Sequence, residues 1–490
     1  MLPARLEAFL GRAGRLFIGG RFVDAEEGGR FAVLDPSTGD AIAEVARGTA
    51  RDVARAVEAA RRALDGAWGR TSPDARGRLL FRLAELMEDH AAELAALEAL
   101  NVGKPILEAQ MGDIPLAAQH FRYFAGWTTK LGGEVLPVSL PGEYLVYTRR
   151  EPVGVVGAIV PWNFPLLIAS WKLAPALAAG NAVVLKPSEL TPLSALYLAE
   201  LVEEAGFPPG AVNVVPGFGE EAGAALVEHP DVQKISFTGS VEVGREILRK
   251  AAGTFKRVTL ELGGKSPNII FEDADLTRAV RGALLGIFFN QGEVCAAGSR
   301  LFVPKAHLER ILDGLTREAA RIRQGSPLEP GTQMGPLVSR EHMERVLGYI
   351  ERGKAEGATL LLGGEPNREA GRGFYVKPTI FLAGDEHAIS REEIFGPVLS
   401  VLPFERLEEV VERANRSPYG LAAGVWTQDV KKAIRVAHAL KAGTVWINGY
   451  NLFDASSPWG GFKASGIGRE MGRYALEHYT EVKSIWLNLA

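Results

Sequence analysis

The chain contains one candidate for covalent chemistry, Cys295, the single cysteine among 490 residues, within FFNQGEVCAAGSR at 288–300. A single cysteine cannot form an internal disulfide or supply the several ligands of a zinc or iron–sulfur site. It is either a nucleophile that attacks as the thiolate or a small buried core residue. The small and amide side chains around it favour the nucleophile, because they leave room for a reacting group.

Two polar residues with possible catalytic roles follow apolar runs. PWNFP at 161–165 places Asn163 between two prolines that restrict the backbone, and an amide held in this way can stabilise an oxyanion. LELGGKSPN at 260–268 places Glu261 at the end of an apolar run, where burial would raise its pKa and make it a base near neutral pH. The alternatives are an ordinary turn in which Asn163 bonds locally and a structural, paired glutamate.

Three further motifs could bind a nucleotide. FTGSVEVG at 237–244 combines glycines with the start of a helix, whose N–H groups attract a diphosphate. KPSE at 186–189 offers a donor and an acceptor for two ribose hydroxyls. EEIFGPV at 392–398 could hold a ribose and pack on a ring. Taken singly, each is equally compatible with a helix cap, a surface ion pair or a simple turn.

The elements around these motifs predict an α/β protein. From residue 152 onward, apolar strand-like runs such as 153–160 alternate with helical segments, which is typical of a parallel sheet buried on both faces. Helices are predicted at 50–64 and 73–100. The segment 131–148 reads as a hairpin arm, and 482–489 as a strand that could pair with this arm or with another subunit.

Composition excludes several classes of function. The net charge is −4 and 23% of residues are charged, so no electrostatic argument favours nucleic acid or an anionic membrane. We find no apolar run of the ~18 residues that a membrane span needs, and we expect no metal site. Residues 1–15 carry charges of both signs without a long apolar centre, so we expect no secretory signal and a cytoplasmic protein.

In their order along the chain, these motifs resemble those of the NAD(P)-dependent aldehyde dehydrogenase superfamily, from about residue 16 to 489. The segments that carry the resemblance are PWNFP at 161–165, KPSE at 186–189, FTGS at 237–240, LELGGKSPN at 260–268, NQGEVCAAGSR at 290–300, EEIFGPV at 392–398 and SPWGGFKASGIGRE at 457–470.

The resemblance implies a three-part architecture. A Rossmann-like cofactor domain would comprise 1–130 and 149–262, and an α/β catalytic domain 263–453. A β-hairpin oligomerisation arm would comprise 131–148 and 475–490. Such arms pair edge strands between subunits, so we expect a homodimer or a homotetramer.

The resemblance also implies catalytic roles. Cys295 would attack the aldehyde carbon, and Asn163 with the Cys295 backbone N–H would form the oxyanion hole. After hydride transfer to the nicotinamide leaves a thioester, Glu261 would activate the water that hydrolyses it. Lys172 and Glu470 would be the proton-relay partners of Glu261.

The implied cofactor contacts favour NAD, with NADP use also allowed. Glu189 would repel a 2′-phosphate by several tenths to a few kcal/mol, whereas Lys186 weakens that exclusion. His342 and Arg345 stand where many relatives have a Gln and a Lys, which puts those contacts in doubt. The implied cofactor-binding residues are Trp162, Lys186, Glu189, Gly239, Ser240, Glu393 and Phe395.

The implied substrate mouth is mostly aromatic and carries no charge. We therefore expect apolar aliphatic or aromatic aldehydes to be preferred over phosphorylated or dicarboxylic semialdehydes, since a carboxylate tail would need an Arg or Lys. The residues of this mouth are Leu116, Phe164, Trp171, Phe289, Phe453 and Trp459.

Two rival functions have sequence discriminators. Relatives that transfer the acyl group to CoA generally lack the carboxylate at the position of Glu261, so its presence favours hydrolysis. A non-enzymatic protein with this fold would not need Cys295, Asn163 and Glu261 together, and all three are present.

Overall fold

The computed structural model describes residues 3–12 and 14–490. The strands are β1 (Leu16–Ile18), β2 (Arg21–Val23), β3 (Arg30–Leu34), β4 (Ala41–Ala46), β5 (Val135–Leu136), β6 (Tyr144–Pro152), β7 (Val155–Ile159), β8 (Ala182–Lys186), β9 (Val212–Val214), β10 (Lys234–Thr238), β11 (Arg257–Glu261), β12 (Pro267–Ile270), β13 (Arg300–Pro304), β14 (Thr359–Leu362), β15 (Thr379–Leu382), β16 (Val398–Phe404), β17 (Ala422–Trp426), β18 (Thr444–Ile447), β19 (Gly466–Ile467) and β20 (Thr480–Asn488).

The α-helices are α1 (Ala4–Leu10), α2 (Ala50–Asp65), α3 (Pro73–Asp89), α4 (Ala91–Val102), α5 (Ile106–Glu108), α6 (Ile114–Ala125), α7 (Pro165–Ala178), α8 (Leu193–Glu204), α9 (Ala224–Glu228), α10 (Val241–Ala252), α11 (Leu276–Phe288), α12 (Leu308–Ala319), α13 (Arg340–Ala355), α14 (Ala388–Arg391), α15 (Leu407–Asn415) and α16 (Val430–Ala439). Short 3₁₀ or π turns lie at Ala109–Asp113, Gly219–Gly223, Phe289–Gly292, Lys305–His307, Lys463–Ser465 and Arg473–His478.

The first large sheet has the strand order β19-β11-β10-β7-β8-β9-β1-β2. Its centre, from β11 to β9, is parallel, and β7, β8 and β10 are buried along their whole length. This matches the apolar runs in the sequence, because a strand covered on both faces needs no polar alternation. At one edge β19 pairs antiparallel with β11, which brings Gly466 opposite Glu261.

The second sheet has the order β14-β15-β16-β13-β12-β17-β18 and is parallel except at β14. The segment that carries Cys295 connects α11 to β13. The position of Cys295 therefore depends on this sheet. The mixed α/β architecture predicted from the sequence is confirmed. The division into three domains stays a prediction.

A separate three-stranded antiparallel sheet, β20-β6-β5, contains the predicted arm. β20 pairs with β6 over nine residues, from Thr480↔Pro152 to Asn488↔Tyr144. The C-terminal strand therefore pairs with the arm of its own chain. Most of β20 is exposed, including Val482, Trp486 and Leu487.

Two helical features differ from the sequence prediction. The helix predicted at 73–100 is two helices, because the backbone at His90 leaves the helical region with φ −106° and ψ 21°. A helical segment from 106 to 125 was not predicted. It contains a π turn and Pro115, both of which interrupt a regular helical pattern. Within the described ranges, none of the helices has the length and apolarity required to cross a bilayer.

Candidate active site

Cys295 lies on a loop whose backbone is strained. Asn290 and Gln291 have φ of 45° and 56°, a left-handed conformation that costs free energy in non-glycine residues. Two carboxylates, one half-buried and one fully buried, hold this loop in place. Glu108 accepts from the Asn290 N–H at 3.0 Å, and Glu293 accepts from a backbone N–H at 2.9 Å. The surrounding contacts thus fix the position of the sulfur.

The Cys295 thiol is surrounded by groups that oppose its ionisation. Burial raises its pKa well above the usual range, and the negative charges of Glu261 and Glu393 raise it further. Both effects disfavour a second negative charge in a poorly solvated place. In the resting protein these surroundings favour the protonated sulfur. Attack by Cys295 as the thiolate stays a prediction.

Asn163 occupies the turn between β7 and α7 and is 3% exposed. Its Nδ2 donates to the Glu293 carbonyl oxygen at 2.8 Å, and its own carbonyl accepts from Asn290 Nδ2 at 3.2 Å. An amide nitrogen carries two hydrogens, so one orients the side chain and the second can meet a ligand oxygen. Asn163 and Cys295 line the same cavity.

Glu261 ends β11 and lines this cavity too. Among the described residues, neither of its carboxylate oxygens has a hydrogen-bond partner. Burial raises its pKa well above the usual value and the charge of Glu470 adds to the rise, while Lys172 and Arg469 oppose it. A carboxyl group in this state is a strong base once it is ionised.

Lys172 and Glu470 do not line the cavity, but their charges act on Glu261. Their side chains form a fully buried ion pair, with Lys172 Nζ 2.5 Å from Glu470 Oε1. Ser236 Oγ donates to the same carboxylate oxygen at 2.9 Å. Both predicted relay residues are thus close enough to act on Glu261 by charge.

A groove runs along the carboxyl ends of β7, β8 and β10, where parallel α/β sheets bind ligands. It consists of adjoining cavities of ≈ 380 Å³ and ≈ 600 Å³. The residues common to both are Pro161, Trp162, Thr238, Gly239 and Ser240. The structure brings every predicted cofactor residue to this groove: Trp162, Lys186, Glu189, Gly239, Ser240, Glu393 and Phe395.

The groove offers different chemistry along its length. At one end, Lys186 Nζ lies 3.0 Å from Glu189 Oε2. In the middle, Ser240 caps the N-terminus of α10 by accepting from the Val243 N–H at 3.2 Å. At the other end, Glu393 accepts from the Gly264 N–H at 2.9 Å, and burial raises its pKa to about 7.

His342 and Arg345 line the groove and brace its far end. His342 Nε2 contacts the Phe395 carbonyl oxygen at 2.7 Å, and Arg345 donates to the Glu393 carbonyl at 3.2 Å. Burial lowers the pKa of His342 to about 4, so its ring is neutral and donates to that carbonyl. Trp162 packs edge-on against Phe395 at 5.2 Å between ring centres.

A second cavity of ≈ 440 Å³ opens on the other side of Cys295. All six predicted substrate residues line it: Leu116, Phe164, Trp171, Phe289, Phe453 and Trp459. Sequence reasoning missed Met111, Gln119 and Asn451, which line it as well. The first two belong to the unpredicted helical segment, so an aromatic-rich pattern alone gave no signal for them.

The charge in this second cavity is neutralised. Asp113 contributes to its wall, but its carboxylate is paired with the buried Lys104 ammonium. No lysine or arginine is among the described residues that line the cavity. The part of the chain with assigned structure also holds no cluster of three His, Cys, Asp or Glu side chains suited to a metal ion.

Comparison with known proteins agrees with this arrangement. The Aldehyde dehydrogenase family model matches residues 22–485. The structure of a Bacillus cereus aldehyde dehydrogenase in complex with NAD⁺ superposes with a TM-score of 0.98 at 54% identity, covering 100% of this chain and 99% of that one. Mitochondrial aldehyde dehydrogenase of Sus scrofa is 51% identical over 96% of this chain and 90% of its own length. Human retinal dehydrogenase 2 is 49% identical over 97% of this chain and 92% of its own length. The chain belongs to the aldehyde dehydrogenase family.

Proposed function

We propose that this protein oxidises aldehydes to carboxylic acids with NAD, through a thiohemiacetal and then a thioester on Cys295. The observation that carries the proposal is the position of Cys295, which lines both the groove and the second cavity. A substrate carbonyl that enters from the second cavity therefore meets the sulfur at the end of the groove.

The groove fits a dinucleotide. The Lys186–Glu189 pair suits two ribose hydroxyls, the N-terminus of α10 suits a diphosphate, and Glu393 suits the second ribose. An added Cβ at Gly263 would lie 2.0 Å from Glu393 Oε2, so this glycine lets the carboxylate enter the groove. A structural neighbour is a complex with NAD⁺. When bound, NAD supplies the hydride acceptor of the reaction.

In the first step, the Cys295 thiol gives its proton to a water molecule in the groove, and Sγ bonds to the carbonyl carbon. The carbonyl electron pair moves to oxygen, where the free Asn163 Nδ2 hydrogen and the Cys295 N–H stabilise it. Donors of this kind act strongly because they are oriented before the charge develops. The contact of Asn163 Nδ2 with the Glu293 carbonyl supports that role, since it fixes the amide in one direction.

In the second step, Glu261 removes a proton from water as the water oxygen bonds to the acyl carbon. The carbon–sulfur bond breaks and its electron pair stays on Sγ. Burial makes the Glu261 carboxylate a strong base, and the Lys172–Glu470 pair tunes it by charge. This route releases free acid rather than an acyl-CoA.

The second cavity supports a preference for apolar aliphatic or aromatic aldehydes, because Asp113, the one acidic residue among the described residues that line it, is paired with Lys104. We also propose that the exposed strand β20 and the hairpin β5–β6 pair with a second subunit in a homodimer or homotetramer. Apolar edge residues such as Val482 and Trp486, which are exposed here, gain burial in such an assembly.

The test is NAD reduction by purified protein, followed at the nicotinamide absorbance, with hexanal, phenylacetaldehyde and succinic semialdehyde. We expect the first two to be oxidised faster, to free acid and without CoA. Alkylation of Cys295 should abolish the reaction. A dependence on CoA would contradict the hydrolytic route. Activity that survives alkylation would contradict the assignment of Cys295 as the nucleophile.

A further inference from the structure

Lys234 is a buried amine that the reaction described above does not use. It is fully buried at the start of β10, and no carboxylate among the described residues lies within 4.0 Å of it. Its Nζ donates to Thr259 Oγ1 at 2.9 Å and lies 4.7 Å from the centre of the Tyr479 ring. Burial of an amine without an ion pair is costly, so its place calls for a reason.

A continuous line of hydrogen bonds connects Lys234 to the buried Lys172–Glu470 pair. From Thr259 Oγ1 a hydrogen bond of 3.2 Å leads to Ser236 Oγ, and a second of 2.9 Å leads from Ser236 Oγ to Glu470 Oε1. Glu470 in turn accepts a hydrogen bond from Lys172, and the charges of both residues act on Glu261. All of these side chains are at least 97% buried, so the line crosses the sheet interior away from bulk water.

Ser236 is the branch point of this line. Its Oγ has four partners within 3.3 Å, namely Thr259, Glu470, Lys172 and the Tyr479 hydroxyl. A hydroxyl offers one hydrogen and two lone pairs, so it can engage three partners at a time. The Ser236 hydroxyl can therefore adopt several arrangements that use different partners. A change from one arrangement to another can reverse the direction in which the hydrogen bonds of the line are donated.

The far end of the line, Lys234, is fully buried but has a partly exposed neighbour on the adjacent strand. Lys234 is paired in register with Arg257, whose side chain is 41% exposed. The charged or titratable groups that act on Lys234 are Glu470, Lys172, Arg257 and the half-buried His478. Burial lowers the pKa of Lys234 to about 7, so near neutral pH the amine can both accept and release a proton.

We propose that Thr259 and Ser236 form a proton wire from Glu470 to Lys234, along which the proton released in thioester hydrolysis leaves the site. This inference rests on the proposed function. Glu261 takes one proton from the attacking water, and a second water molecule relays it to the Lys172–Glu470 pair, because Glu261 makes no direct hydrogen bond to that pair. Each hydroxyl then gives one proton forward as it receives another, and Lys234 releases one to solvent. No electrons move along the wire, and the thiolate electron pair stays on Cys295.

The test measures acylation and deacylation separately with 4-nitrophenyl acetate. Transfer of its acetyl group to Cys295 gives a burst of 4-nitrophenolate, and hydrolysis of the thioester sets the later linear rate. Thr259→Val is close to isosteric and breaks the wire, while Lys234→Met removes its end. Both variants should keep the burst and lose about tenfold in the linear rate, below the ~10²–10⁴-fold of a directly acting base. The double variant should be no slower than either single one.

The matched control is Tyr479→Phe, which removes a buried hydroxyl bound to Ser236 but not on the line. Its linear rate should stay within about twofold of the unchanged protein. Wild-type linear rates in Thr259→Val and Lys234→Met, beside a normal burst, would overturn the wire. An equal loss in Tyr479→Phe would overturn it too, since packing would then explain the effect. Ester hydrolysis at the unchanged rate after alkylation of Cys295 would instead refute Cys295 as the nucleophile.

A measurement on the unchanged protein covers the case in which these variants do not fold. The linear rate is followed in mixtures of H₂O and D₂O. Transfer of several protons along a wire predicts a curved dependence on the deuterium fraction. A straight line, which indicates a single proton in flight, would overturn the proposal.

Discussion

The amide of Asn163 offers the sharpest single test of the oxyanion site. One Nδ2 hydrogen is directed to the Glu293 carbonyl, and we assign the other to the substrate oxygen. In Asn163→Ala the Glu293 carbonyl keeps a donor, because Asn290 Nδ2 lies 3.2 Å from it. Truncation therefore removes an oxyanion donor without leaving a buried carbonyl unpaired. The expected cost is ~2.7–4 kcal/mol of transition-state stabilisation, or about 10²–10³-fold in kcat.

The assay is steady-state NAD reduction with hexanal, together with thermal unfolding. The matched control is Asn101→Ala. Asn101 is also a buried amide that donates to a backbone carbonyl, at 2.9 Å, but it lies outside the cavities. We expect Asn101→Ala to lose ~1–3 kcal/mol of stability and to keep its kcat. A folded Asn163→Ala protein with kcat within about threefold of the unchanged protein would refute the assignment.

Three further predictions concern the base, the thiol and the cofactor. Glu261→Gln should keep the ester burst and lose ~10²–10⁴-fold in deacylation; equal loss in both phases would contradict a role in hydrolysis alone. Because the pKa of the Cys295 thiol is raised, its rate of alkylation by iodoacetamide should still increase with pH above the ordinary thiol range, and NAD⁺ should shift this profile to lower pH, as a nearby positive charge favours the thiolate. A profile that levels off near neutral pH without NAD⁺ would contradict the raised pKa. Glu189→Gln should raise the NADP-to-NAD ratio of kcat/KM, measured with one aldehyde, since it removes a charge that repels a 2′-phosphate; an unchanged ratio would place the 2′ position elsewhere.

The sequence predicted the parts of the site that follow buried strands. Apolar runs located β7, β8 and β10, and parallel strands bring their carboxyl ends to one edge of a sheet. Residues placed just after such runs, such as Asn163, therefore had to converge. Glu261 follows the same rule at the end of β11.

Other features depend on tertiary contacts that a sequence pattern does not encode. The segment 106–125 contains Gly112 and Pro115, two residues that argue against a helix in a sequence pattern. In the structure a π turn joins its two helical parts into one continuous segment. The left-handed backbone at Asn290 is imposed by Glu108, which is distant in sequence. The raised pKa of Cys295 likewise arises first from burial in the fold and then from carboxylates on other elements. Lys234 reads as one polar residue in a strand, and only the fold brings it near Thr259 and Ser236.

The central claim is that the acyl group resides on Cys295 during the reaction. Because the chain has a single cysteine, intact-mass analysis is a direct measurement. Glu261→Gln protein is mixed with NAD⁺ and hexanal, quenched in acid and weighed, and its peptides are mapped. We expect a mass increase of one hexanoyl group for each chain, located on Cys295. An unmodified protein after turnover, or an acyl group on any other residue, would contradict it.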